Sequence, residues 1–323
     1  MRAMILAAGL GTRMAPLARA SAKPALPVLD VPVIARLARV LAAAGVERVI
    51  VNTHAHPETL RAALRAAPLP VDWLHERAPR GSGGGIAGAR ALLGEREPFL
   101  VLNGDMCLEL DFAALLATHR ANRTLATLAL RDDERKGEFG SIGYDPTGSV
   151  CRFTDRIDLG GELGSGLFIG VQVMSPEMFA RMPSGEAFEI IPDVYLPALR
   201  AGVRIGTFLQ PATQPWWPVG TPGELLDANI AALRQEVGRG RDALRVAADA
   251  RVEGQLVGPA WVGAGAVVAR DARIGPHAVL CARAHVGAGA RLVDSLALPG
   301  AEVAARSALE RAIAFEKEVW RDG

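Results

Sequence analysis

Residues 5–14 read ILAAGLGTRM. A short apolar run passes straight into a turn that carries Gly9 and Gly11 and ends in Arg13, the pattern of a buried strand that stops at a bound anion. Spacing excludes two familiar phosphate loops. A P-loop needs G-x-x-x-x-G-K-[ST], and no lysine follows Gly11 directly. The dinucleotide fingerprint G-x-G-x-x-G has its third glycine where this chain has Met14. The ingredients of an anion cradle remain. Glycines let backbone N–H groups turn towards a ligand, Arg13 adds a planar cationic fork, and SAKPAL, ten residues on, sets Lys23 beside Pro24 as a second cation.

Outward from this turn, strand-like and helix-like segments alternate up to about residue 130. AMILAA reads as a buried strand, and the apolar spacing from Val33 to Ala44 predicts a helix capped by Gly45. ERVIVN is a second strand, residues 57–66 a helix, VDWLHE a third strand, and PRGSGGGIAGARALL a glycine cluster leading into a helix. PFLVLNGD is a fourth strand. Such alternation predicts a mostly parallel, Rossmann-like α/β sheet covered on both faces, with ligands beyond the carboxyl ends of its strands. Loops 8–14, 76–85 and 103–106 should then share one rim. From 139 to 175 the segments GSIGYD, SVCRFTD and GLFIGVQVM read as antiparallel insertions over that rim, and GTPGELLDANIAALRQEV as a closing helix.

The C-terminal eighty residues keep another period. Leu256, Val262, Val268, Ile274, Leu280, Val286, Leu292 and Leu298 are six apart, with small residues between them. This is the hexapeptide pattern of a left-handed parallel β-helix, here of about three coils. The expected division is a domain over 1–237 and a β-helix over 244–323, with Gly238 and Gly240 in the linker.

Whole-chain totals narrow the function. With 36 Lys and Arg against 35 Asp and Glu in 323 residues, no electrostatic footprint for nucleic acid or membrane is present. The apolar run at the N-terminus is only about six residues, short for a signal peptide, and no run reaches the roughly 18 residues of a membrane helix. Cys107, Cys151 and Cys281 form neither a disulfide framework nor a metal knuckle, which points to a cytoplasmic protein.

The fourth strand ends in LNGD. A carboxylate at a strand's carboxyl end is well placed to hold Mg2+ against phosphate oxygens, so Asp105 is the candidate metal ligand. Two cations, one such carboxylate and a glycine turn are what nucleotidyl transfer needs. LAAGLGTRMAPL followed by KP resembles the signature of the sugar-nucleotide pyrophosphorylases, and the resemblance runs over essentially the whole chain. GSGGGI is similar to that family's base-and-ribose loop, LNGD to its metal-binding strand end, and GTPGELLDAN to its closing motif. The mannose-1-phosphate guanylyltransferase-like and N-acetylmuramate-1-phosphate uridylyltransferase-like subgroups are the nearest in pattern.

The resemblance implies the nucleotide-diphospho-sugar transferase fold and an enzyme that joins an NTP to a sugar-1-phosphate with Mg2+. The backbone of Ala8, Gly9, Leu10, Gly11 and Thr12 would cradle the triphosphate. Arg13 would neutralise the leaving pyrophosphate, Lys23 would contact the α-phosphate and Asp105 would hold the metal. Glu76, Gly81 and Ser82 fall where the family recognises the base, and Arg80 beside them is placed to bias that choice. Gly140, Asp155 and Arg156 fall at positions that grip the sugar and its phosphate, as do Ser165 and Gly166, although Gly164 stands where the family has an Asn. In QPWWPVGTPGE, Pro218 occupies the position of a second metal-binding Asp. Two alternatives follow: a catalytically impaired, NDP-sugar-binding regulatory paralogue, or a bifunctional enzyme whose β-helix transfers acyl groups with His277 or His285. Self-association through the β-helix is expected, and Trp216, Trp217 and Trp320 read equally as packing residues or sugar platforms.

Overall fold

The computed structural model describes residues 1–322. Contacts gather the chain into two compact units, one made of Met1–Leu10 with Ile34–Trp216, the other of Gly11–Val33 with the chain from Trp217 onward. The boundary read from composition, near residues 237–244, falls inside the second unit.

Apolar runs with no polar alternation must be buried on both faces, and the centre of a ten-stranded sheet in the first unit is built from them. Arg2–Leu6 pairs in parallel with Arg48–Thr53 on one side and Phe99–Asn103 on the other, and Val71–His75 continues the sheet beyond Arg48–Thr53. Met4, Ile5, Ile50, Val51 and Leu102 have no exposed surface. Beyond Phe99–Asn103 the sheet turns antiparallel through Gly164–Met174, which also pairs with Ala126–Arg131 and Ile142–Tyr144. GLFIGVQVM is therefore part of the main sheet rather than an insertion over its rim. A register shift between Phe168 and Gln172, with Gly170 at φ 79°, lets this one long strand serve both regions. GSIGYD and SVCRFTD do form short antiparallel strands, Ile142–Tyr144 and Val150–Phe153.

The helix Val33–Ala43 ends at Gly45 with φ 76°, as the sequence predicts. The glycine cluster differs from expectation, because the helix Gly81–Gly88 runs through it rather than after it. The N–H groups of Gly83 and Gly84 both donate to the Phe188 carbonyl, at 3.0 and 3.1 Å. A Cβ on Gly83 would lie 2.5 Å from Cε2 of Phe188. Close backbone approach, not helix propensity, accounts for these glycines.

In the second unit, the period-six residues stack as expected. Val252, Val268, Val286 and Val303 align on one face, and Leu256, Ile274, Leu292 and Leu309 on another. The third carries Val246, Val262, Leu280, Ala297 and Ala314. The left-handed β-helix is thus four coils deep rather than three. Two local steps hid the outer coils: Val252 to Leu256 spans four residues, and Leu292 to the next stacked residue, Ala297, spans five. Leu298, six from Leu292, is displaced from the stack by that shorter corner. No helix among the described residues is long and apolar enough to cross a membrane.

At the carboxyl rim of the first unit, hydrogen bonds take over where strand pairing ends. Gly104 N–H donates to Leu6 O at 2.9 Å, and Ala7 N–H to Asn52 Oδ1 at 2.8 Å. Asn52 Nδ2 donates to Glu76 Oε1 at 2.7 Å, and Arg80 N–H to Glu76 Oε2 at 3.0 Å. Asn52 and Glu76 are 2% and 1% exposed, so this chain is shielded from water. Asn52→Ala would leave a buried N–H without its acceptor and a buried carboxylate short of a donor. The expected loss is about 2–3 kcal/mol, read as a lower urea midpoint at unchanged slope; a shift under about 0.5 kcal/mol would contradict the assignment.

His119, 2% exposed, sits between Thr127 Oγ1 at 2.9 Å and Ser175 Oγ at 3.0 Å. Burial, then the charge of Arg120, pushes its pKa down from 6.5 to about 4. The unfolded chain therefore takes up a proton in this window that the folded chain refuses, so stability falls as pH drops from 6.5 towards 4. The expected contribution is on the order of 2 kcal/mol. Urea melts at pH 7 and 4.5 should show a smaller pH loss in His119→Gln than in the parent; equal losses would reject this role.

Candidate functional site

In the first unit, the turn after the central strand lies open. Ala8 is buried, whereas Gly9 and Leu10 are exposed, Leu10 by 57%. Among the described residues no acceptor receives the N–H of Gly9 or Leu10. Exposed donors of this kind are open to solvent, and adjacent N–H groups in a glycine turn at a strand's end are available to an anion. Asp105 is half-buried two residues beyond Phe99–Asn103, and the Gly104 bond to Leu6 holds its loop against the end of the central strand.

The three residues expected to recognise a base are tightly held by the protein. Both Glu76 carboxylate oxygens accept the bonds from Asn52 and Arg80 described above. Ser82 Oγ donates to Glu189 Oε2 at 2.5 Å and accepts from Ile190 N–H at 3.0 Å. Gly81 has φ 69°, and a Cβ there would meet the Phe188 carbonyl at 2.6 Å. The backbone is engaged as well, since Ser82 N–H donates to Glu189 Oε2 at 3.1 Å.

On the antiparallel side of the sheet, Gly140 has φ 86° and lies against Thr154, whose Cγ2 would be 2.8 Å from an added Cβ. Ser165 pairs with Gly143 and Gly166 with Ile142, so both sit in the strand that borders this region. Asp155 and Arg156 are exposed, and Asp155 accepts from Thr154 Oγ1 at 3.2 Å. A pair that sequence spacing did not reveal organises the same loops. Arg152 donates to both oxygens of Glu162, at 2.6 and 3.1 Å, and also reaches the Ser141 and Thr154 carbonyls at 3.3 Å. The Arg152 bonds hold the Glu162 carboxyl below its usual range.

A second unforeseen cluster fixes the tryptophan motif. Arg135 binds both oxygens of Asp133 at 2.8 Å, which lowers the Asp133 pKa to about 2, and its guanidinium stacks on Trp216 at 4.9 Å. Trp216 is 7% exposed and its indole N–H donates to Ile169 O at 3.2 Å, so this tryptophan is a packing residue.

In the second unit, Gly11 has φ 64° and opens the short turn Thr12–Met14. A Cβ placed on Gly11 would lie 3.6 Å from the Lys23 Cβ, so the lysine side chain springs from beside the glycine turn. Arg13 is exposed, and one of its terminal nitrogens lies 3.7 Å from the Cβ position of Gly220, next to the motif that contains Pro218. His277 Nδ1 pairs with Asp294 at 2.8 Å and its Nε2 faces Arg234 at 3.3 Å. Arginine can only donate, so Nε2 is occupied as an acceptor and His277 is a link rather than a base in waiting. His285 lies exposed on a coil face. No cluster of three or more His, Cys, Asp or Glu side chains is placed to hold a metal among the described residues.

The chain matches the Nucleotidyl transferase family over residues 2–235. It is 30% identical over 317 residues to "Mannose-1-phosphate guanylyltransferase" of Mycobacterium tuberculosis, an alignment covering 96% of this chain and 83% of that one. It is 24% identical over 339 residues to "UTP--glucose-1-phosphate uridylyltransferase" of Synechocystis sp., covering 92% and 87%. The crystal structure of HddC from Yersinia pseudotuberculosis complexed with GMP-PN superposes with a TM-score of 0.60 at 23% identity, covering 72% of this chain and 99% of that one, a likeness of fold. With a matching family over most of its length and a relative aligned nearly end to end, the chain belongs to the nucleotidyl transferase family, among the sugar-nucleotide pyrophosphorylases.

Proposed function

We propose that this protein transfers a nucleotidyl group from an NTP to a sugar-1-phosphate, releasing pyrophosphate and giving an NDP-sugar. The observation that carries the reading is the open glycine turn at the end of the central strand, its N–H groups unmatched and its chain running on to Arg13 and Lys23. The relatives' names supply the substrate class, and GTP with mannose-1-phosphate and UTP with glucose-1-phosphate are the first pairs to examine.

The chemistry asks little of a general base. A phosphate oxygen of the sugar-1-phosphate, already anionic at neutral pH, forms a bond to the α-phosphorus. The bond to the β-phosphate oxygen breaks in line, and pyrophosphate carries away the electron pair. Positioning and charge neutralisation supply the rate. The backbone from Ala8 to Thr12 holds the triphosphate, Arg13 meets charge growing on the leaving group, and Lys23 meets the α-phosphate. Gly81, Ser82 and Glu76 define the base wall, the last two through the protein bonds that fix it. Gly140, Asp155, Arg156, Ser165 and Gly166 border the sugar side.

Magnesium is the cation we assign. Asp105 offers a single carboxylate, which fits an ion that keeps several waters and takes its other ligands from substrate phosphates. Bound there, it would neutralise charge on the α-phosphate. A cytoplasmic setting agrees with three buried cysteines that form no disulfide, and self-association through the β-helix agrees with exposed Leu244 and Val246 on its first coil.

A second reading has one observation in its favour. Pro218 carries no ligand atom, and a chain that binds NDP-sugar without making it would act on a partner enzyme. Incubation with Mg2+, each NTP and a panel of sugar-1-phosphates separates the two, because only the transferase releases pyrophosphate. In the active pair, Arg13→Ala should lower kcat/KM by about 2–4 kcal/mol, roughly 30-fold to 1,000-fold. Turnover equal to the parent would remove Arg13 from the chemistry.

A further inference from the structure

The segment that carries Arg13 and Lys23 belongs, by its contacts, to the same unit as the β-helix. It ends in a small hairpin in which Pro27 pairs with Pro32 and Val28 with Val31. The two tip residues, Leu29 and Asp30, have φ 49° and 64°. Two-residue hairpins of this hand normally use Asn or Gly at such positions, because a left-handed backbone costs a branched side chain energy. Here the surroundings compensate. Leu29 is fully buried, and its N–H donates to Asn229 Oδ1 at 3.0 Å. Asn229, also without exposed surface, donates from Nδ2 to Pro27 O at 3.2 Å and to Leu225 O at 2.9 Å, which clasps the hairpin to the helix Pro222–Glu236.

Asp30 reaches further. Its Oδ2 accepts from the Trp261 indole N–H at 2.9 Å, and its Oδ1 accepts from the backbone N–H of Ala282 at 2.6 Å. Trp261 and Ala282 lie on successive coils of the β-helix. Gly263 lies where the carboxylate descends, and no Cβ fits there without overlapping Asp30 Oδ2. One side chain thus joins two coils to the tip of a hairpin seven residues from Lys23. The hairpin is also closed at its base, where Val33 N–H donates to Leu26 O at 3.0 Å and Leu26 N–H to Lys23 O at 3.1 Å. The bonds from the coils to the lysine run without a break.

We propose that Asp30 is a positioning residue, through which the β-helix fixes the segment bearing Arg13 and Lys23 and so sets the rate of nucleotidyl transfer. This rests on the transferase reading above. The β-helix is then the seat of the catalytic cations rather than an appendage, and any ligand or neighbouring chain that shifts its second or third coil changes kcat.

The test uses full-length parent, Asp30→Ala and Trp261→Phe, the last keeping an aromatic ring while removing the indole N–H and part of the bicycle. Circular dichroism first checks that each is folded at 25 °C. In the active substrate pair, kcat should fall 10- to 100-fold in Asp30→Ala and 3- to 10-fold in Trp261→Phe, with KM for NTP within threefold of the parent. Amide hydrogen exchange over residues 11–26 should quicken at least tenfold in Asp30→Ala, while the coil core around 284–292 stays protected. Unchanged exchange over 11–26 overturns the proposal, and so does faster exchange with parental kcat. If the parent itself releases no pyrophosphate with any pair, the transferase reading fails, and exchange alone decides whether Asp30 anchors the segment.

Discussion

Parallel strands that stop side by side create a problem at their carboxyl ends, because the backbone groups beyond the last ladder bond are buried and have lost their partners. In this protein Asn52 resolves it. Its amide presents an acceptor to Ala7 N–H and a donor to Glu76 from one side chain, and Glu76 passes the connection on to Arg80. A single carboxamide therefore fixes where the chain leaves the central strand, where the loop after the edge strand turns, and where the glycine helix begins. The exposed turn at Gly9 and Leu10 begins two residues after Ala7, whose N–H the Asn52 carboxamide holds.

The glycines around this rim serve two different needs. Gly9 faces open space, and Gly11, in the second unit, takes a left-handed conformation beside Lys23. Gly81, Gly83 and Gly84 instead lie under the backbone and ring of residues 186–189, and Gly85 under Asn52 and Glu76. Composition cannot separate these uses, since a ligand and a neighbouring backbone both exclude a Cβ. In the helix Gly81–Gly88 it is the neighbouring backbone and side chains that exclude it.

Polar groups away from the turn follow the same logic at longer range. Arg152 holds Glu162 while reaching two carbonyls, and Arg135 holds Asp133 while lying on Trp216. Each arginine uses its planar fork to bind several loops at once, which a lysine could not do. The loops on the antiparallel side thereby gain fixed positions without a regular ladder to hold them.

Much of this was readable from the residues alone. Runs without alternation announced the parallel centre, Gly45 the end of its helix, and the six-residue period the β-helix, because each follows from spacing within a few neighbours. The readings that needed change share a different origin. Gly164–Met174 looked like an insertion since only its partners, Phe99–Asn103 and Ala126–Arg131, reveal it as a central strand. The outer coils were missed where corners tighten to four and five residues, which breaks the period without breaking the stack. Sequence by itself determined the parallel strands at the centre of the sheet, the helix that ends at Gly45 and the coil period, all local in the chain. Only the tertiary structure decided that Glu76 and Ser82 are bonded within the protein, and that residues 11–33 sit with the C-terminal coils. The physical reason is distance along the chain: the bond from Trp261 to Asp30 joins residues 231 apart, and no periodicity extends that far.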